Sequence, residues 1–187
     1  MIRRATILAI GLAGALAATG AIAQTGQMGG SNQMGQAKQA DKDSQKFIKD
    51  AIEGDIAEIN IGNLAQQKSQ NGAVKQYGAM LVKDHSEHKA KAEQVASELG
   101  VKPPTGSSLG AKTTYAKLKL LSGATFDRSF AKSMVSDHQK DIKEFQKESS
   151  KNDPAGQLAK DSLPTLQKHL QEAQNLEKQT AQKQSSR

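Results

Sequence analysis

Four stretches of this chain repeat apolar residues every three or four positions, the spacing of one helix face. The first runs from about Ser44 to Gln70, with Ile48, Ile52, Ile56, Ile59 and Leu64 as its stripe. Asn71-Gly72 follows, and the pair predicts a stop in left-handed backbone. The second runs from about Ala73 to Leu99 and carries Val74, Tyr77, Leu81, His85, His88, Ala92, Val95 and Leu99 on one face. Gly100 ends it, and Pro103-Pro104 prevents its continuation. A third, about Ala124 to Ser150, shows Phe126, Phe130, Met134, His138, Ile142 and Phe145 before Asn152-Asp153-Pro154 breaks it. The fourth, about Ala155 to Gln179, shows Leu158, Ser162, Leu166, His169, Ala173 and Leu176, with Pro164 predicting a kink inside it. No run alternates with period two for long enough to make a strand. The connection from Thr105 to Gly123 contains "YAKLKLLSG", which reads as a short extra helix.

The expectation is an all-α fold. Four amphipathic helices of about 27 residues, each roughly 40 Å long, suit a four-helix bundle over residues 44–180. A long connection between the second and third helices gives it the ferritin-like arrangement.

The ends of the chain differ in character. Residues 1–23 open with Arg3 and Arg4, continue with an apolar run from Ile7 to Leu16, and close on Ala21-Ile22-Ala23. That pattern predicts a secretory signal peptide cut near Ala23-Gln24, and hence a periplasmic or secreted product. Residues 24–43 are rich in Gly, Gln and Ser and lack the apolar content that offsets ordering entropy, so a disordered leader is expected there. A disordered tail is expected over 181–187. The chain has no cysteine, which excludes disulfides, thiolate metal sites and a lipid-modified cysteine anchor. Its formal charge is +7; without Arg3 and Arg4 it is +5, spread as scattered lysines. With only two Tyr and four Phe and an exported address, nucleic acid is not an expected partner. Weak, salt-dependent attraction to anionic envelope components is.

Three of the four histidines change this picture. His85, His138 and His169 each fall near the middle of a predicted helix, on its apolar stripe. Helices of equal length packed side by side bring their midpoints into one layer, so three imidazoles are expected to converge in the core. Near the middle of the first helix stand Asp55 and Glu58, and Glu58 is the preferred carboxylate. Each buried imidazole needs partners, and a metal ion satisfies three at once. Three His and one carboxylate suit a single transition-metal ion such as Zn, Cu, Fe or Mn. Asp84 and Asp137 precede their histidines by one position and point about 100° away. That places them as orienting groups that accept a ring N–H from a neighbouring helix. His88 and Asp141 follow His85 and His138 by three and are weaker candidates. The competing reading is an internal network of His and Asp that sets the register of a non-catalytic structural or interaction protein of the envelope. No Ser-His-Asp framework, phosphate-binding glycine loop or di-iron carboxylate set is visible, so no catalytic residues are assigned.

The stretches "AEINIGNLAQQKSQNGAVKQYGAMLVKDHSEH", "FDRSFAKSMVSDHQKDIKEF" and "LPTLQKHLQEAQ" resemble the domain-of-unknown-function 4142 family over about Ser44 to Lys178. Carrying the likeness are Glu58, Asp84-His85, Phe126-Asp127, Asp137-His138 and Leu163-Pro164 with His169. The resemblance implies a ferritin-like class and an envelope location, often described as outer-membrane. It implies no agreed activity, and His88 lies outside the family pattern.

Overall fold

The structure is a computed structural model, and it describes residues 41–185. The expected signal peptide over 1–23 and all but the last three residues of the expected leader lie outside them. The described residues form five helices and no strand: α1 Lys42–Lys68, α2 Gly72–Glu98, α3 Leu109–Leu120, α4 Gly123–Glu148 and α5 Pro154–Ser185. No helix among them is long and apolar enough to cross a membrane.

Each boundary has a local cause. Asp41 caps α1 by accepting from the Asp43 amide, so the helix starts inside the segment expected to be leader. Asn71 and Gly72 do not form the left-handed stop predicted for them. The link between α1 and α2 is only three residues, and Asn71 serves it as an N-cap: its backbone is extended and its side chain accepts from the Ala73 amide at 3.1 Å. Gly72 is the first residue of α2. At the other end of α2 the expectation holds, because Gly100 takes φ +65° and turns the chain out of the helix. Asp153 caps α5 through the Gly156 amide at 2.7 Å, and Pro154 occupies the first turn, where its missing N–H is not needed. α5 continues through Pro164 to Ser185, beyond its predicted end and into the expected tail. α3 is the short helix foreseen in the connection.

α1 packs along α2, α4 along α5, and α2 faces α5; α3 lies against α1 and α4. Gly62 and Gly78 let α1 and α2 approach closely. A Cβ on Gly62 would sit 2.6 Å from the Gly78 carbonyl oxygen, and one on Gly78 2.7 Å from that of Gly62. Polar ties fasten the two ends. Ser69 donates to Asp127 at 2.6 Å, holding the α1–α2 link to α4. Ser44 lies 2.7 Å from both Glu148 and Asp153, holding the start of α1 to the α4–α5 link.

The apolar core is split in two. One cluster includes Leu64, Val74, Leu81, Phe126, Phe130 and Met134. The other includes Phe47, Ile48, Ile52, Ala92, Phe145 and Leu166. Between them the buried face of α1 is polar: Asp55 and Glu58 are inside, whereas Ile56 and Ile59, expected on the stripe, are only half-buried. The same level of the other helices carries His85, His138 and His169, all buried.

Candidate metal centre

Helix geometry puts these groups at one height. Asp55 is the fourteenth of 27 residues in α1, and His85 the fourteenth of 27 in α2. His169 is the sixteenth of 32 in α5, and His138 the sixteenth of 26 in α4. One nitrogen from each of His85, His138 and His169 lies within 4.8 Å of the other two. The three rings sit 5.2–6.0 Å apart between centroids.

Hydrogen-bond partners fix which nitrogen carries the proton. His138 places Nδ1 2.9 Å from the Met134 carbonyl oxygen. A carbonyl only accepts, so Nδ1 holds the proton and Nε2 is a lone pair. His169 places Nε2 3.0 Å from the Asp84 carboxylate, so Nε2 donates and Nδ1 is the lone pair. Those two lone pairs, His138 Nε2 and His169 Nδ1, face one another at 3.3 Å. His85 donates through Nδ1 to Asp55 at 2.8 Å, which leaves its Nε2 as a lone pair, buried without a partner. Thus three imidazoles turn their donors outward, each onto an oxygen, and their lone pairs inward. Outer oxygens of this kind orient metal-binding histidines and raise their basicity.

Burial keeps the lone pairs of His138 and His169 free. Burial, followed by the charges His85 and His169 would carry, holds His138 down to about 3. Burial also lowers His169, against the pull of Asp84. At Asp84 burial works upward, but its bonds to His169 and Lys83 prevail and keep the carboxyl below its ordinary value. The metal-free protein should therefore lose stability in acid through His138. Between its unfolded pKa of about 6.5 and its folded value of about 3, the unfolded chain takes up a proton that the folded chain refuses. We expect a His138→Gln variant to lose less stability between pH 7 and pH 5 than the unaltered chain, by up to ~2 kcal/mol in urea unfolding. Equal losses would show that His138 is not held neutral by the fold.

The other candidates are placed as follows. Asp84 binds a ring nitrogen of His169, on a neighbouring helix. Asp137 makes no hydrogen bond to a histidine among the described residues; it is half-buried and its carboxyl is raised by burial. Glu58 is buried but is not among the converging groups. The α1 carboxylate that touches the cluster is Asp55, one turn earlier. His88 does not simply face water: its Nδ1 lies 2.8 Å from Asp55 Oδ2, so His85 and His88 clamp one carboxylate between them. The signals for this were Asp55's place at the centre of α1 and the three-residue spacing that turns His85 and His88 to one side. Asp141 lines the cavity of about 480 Å³ that reaches His85, His88 and His169, and exposed Asp50, Glu144 and Asp161 rim it. Lys83 and Lys91 also line it, but acids outnumber them. Three imidazoles, two of them reached by this approach, can hold a borderline divalent ion and leave a coordination position open.

The sequence model of the DUF4142 family, a domain of unknown function, matches residues 29–176. The chain is also similar to the crystal structure of a DUF305 fragment from Deinococcus radiodurans. That match has a TM-score of 0.68 and 14% identity, over 75% of this chain and 98% of the other. At that identity the likeness is one of fold. No curated protein matches the chain.

Proposed function

The chain belongs to the DUF4142 family, and we propose that it is an exported metal-binding protein of the cell envelope. Its four long helices act as a ferritin-like bundle around one transition-metal ion held by His85, His138 and His169. The observation that carries this reading is the pair of facing lone pairs, His138 Nε2 and His169 Nδ1 at 3.3 Å, with the His85 ring 5.3–6.0 Å away between centroids and its Nε2 orphaned. Two acceptors in contact repel. A cation between the three rings turns that repulsion into three bonds. Imidazole donors suit Zn, Cu, Fe and Ni, and the role that follows is metal capture or buffering, with the leader pattern of residues 1–23 supporting export.

A structural network is the second reading, favoured by the single oxygen partner that each ring already has. It leaves the inward nitrogens unexplained. The chain purified without tag or chelator separates the two. About one equivalent of Zn, Cu, Fe or Mn, with a melting temperature lowered by EDTA, is the expected result. A metal-free protein whose melting is unmoved by added Zn, Cu, Fe or Mn would favour the network.

A further inference from the structure

Among the described residues, the exposed large apolar side chains are Leu109 and Leu120, at 81% and 87% of full exposure, and both stand on α3. As the first and last residues of a 12-residue helix they are separated by about three whole turns, so they share one face. Exposed Thr113 and Ala116 lie between them on that face. At about 100° per residue, Lys112 and Lys119 flank it on one side and Lys117 on the other. All three lysines are exposed, and α3 contains no acidic residue. Lys68, from the end of α1, donates to the Lys119 carbonyl and brings a fourth ammonium group to the Leu120 end.

The fold uses the opposite face of the helix. Leu118, half a turn round from the exposed stripe, is buried, and α3 lies against α1 and α4. Ala111 and Thr114 wall a cavity of about 450 Å³ on this inner side, whose lining includes Glu58, Asp137 and Asp141. Those acids are therefore behind α3, not beside its leucines. Of the exposed acids at the same cavity, Asp50 pairs with Lys46, and Glu144 lies 3.8 Å from Lys140. Lys117 and Lys119 complement the negative end of the helix dipole. That accounts for two lysines, but it gives no reason for leucines on the outer face.

We infer that the outer face of α3 docks the protein on an anionic lipid surface, with Leu109 and Leu120 in the headgroup layer and Lys112, Lys117 and Lys119 against lipid phosphates. Leucines gain only by leaving water, which a purely polar anionic polymer does not offer. A second copy of this face would set three lysines against three. An anionic bilayer supplies both the apolar phase and the opposite charge, and a short helix with leucines between lysines matches it. No described helix can cross a membrane, so the contact is peripheral and reversible. This inference is independent of the histidine layer.

The chain has no tryptophan, so Leu120→Trp in the full chain places a single emitter at the proposed contact. On vesicles of phosphatidylcholine with phosphatidylglycerol, we expect its emission to shift to the blue and to be quenched by brominated acyl chains. Phosphatidylcholine alone should do neither, and Lys168→Trp, exposed on α5, should stay unshifted on both. Adding Lys112→Gln, Lys117→Gln and Lys119→Gln to Leu120→Trp should weaken vesicle binding, read by that emission, about 100-fold, from about fivefold per lysine near a charged surface. The same loss of charge at exposed Lys160, Lys168 and Lys178 of α5 should weaken it less than tenfold. Every substituted side chain is exposed, and an unchanged melting temperature checks that the fold is intact. Emission unmoved by anionic vesicles, or equal losses from the two lysine sets, would overturn the inference. So would a shift that grows with protein concentration in the absence of lipid, which would put a second copy on this face.

Discussion

Zinc affinity should fall by more than ~100-fold in His138→Ala, beyond the 10- to 100-fold that removing an orienting partner produces. His138 is wholly buried, and its Nε2 is the atom that faces His169. Removing it deletes one of three donors and opens a gap that water enters. The metal-free protein should change far less. Lost packing of the ring destabilises it by ~1–3 kcal/mol, but the substitution also removes the contact between two acceptors and the acid liability of His138, which offset part of that. The decisive comparison is therefore the rise in melting temperature on adding zinc: large in the unaltered chain, absent in His138→Ala. Isothermal titration supplies the affinity. An undiminished affinity would mean that zinc binds elsewhere on the chain.

Asp55→Ala is expected to damage both stability and metal binding. The Asp55 side chain is 3% exposed and accepts from His85 and His88, at 2.8 Å each. Truncating it strands the buried N–H donor of His85 and the half-buried one of His88, at about 1–3 kcal/mol for a buried donor and less for the other, so a loss of ~2–4 kcal/mol in urea unfolding should follow. It also frees the His85 ring to rotate and change tautomer, which should weaken zinc binding by ~10- to 100-fold. Asp55→Asn should fall between, since its single carbonyl oxygen accepts from one ring well and presents an N–H₂ to the other. A loss below ~1 kcal/mol in Asp55→Ala would show that neither histidine depends on this carboxylate.

The helices and the histidine layer were legible because both follow from period. A 3.6-residue repeat identifies the face, and the midpoint of each repeat gives the height, which is all that the convergence of His85, His138 and His169 requires. Which carboxylate serves the layer was less legible. Asp55 and Glu58 stand three residues apart, on one side of α1, and both are buried. What separates them is which neighbour each meets: Asp55 meets α2 through His85 and His88, and Glu58 the acidic cavity beside α3 and α4. A stripe gives the angle around its own helix and not the identity of the helix opposite. Asn71-Gly72 was misread for a related reason. Both residue types suit a left-handed stop, but a three-residue link left Asn71 to cap the next helix, where its side-chain oxygen is equally suited. The tie from Ser69 to Asp127 joins residues 58 positions apart and has no signature in local spacing.

Anomalous scattering from crystals grown with one equivalent of zinc tests the central claim most directly. The account predicts one strong peak among the three rings, ~2.0–2.1 Å from His85 Nε2, His138 Nε2 and His169 Nδ1, with Asp55, Asp84 and the Met134 carbonyl still on the outward nitrogens. Zinc found only on surface carboxylates or at His88, with the three rings unmoved, would contradict it.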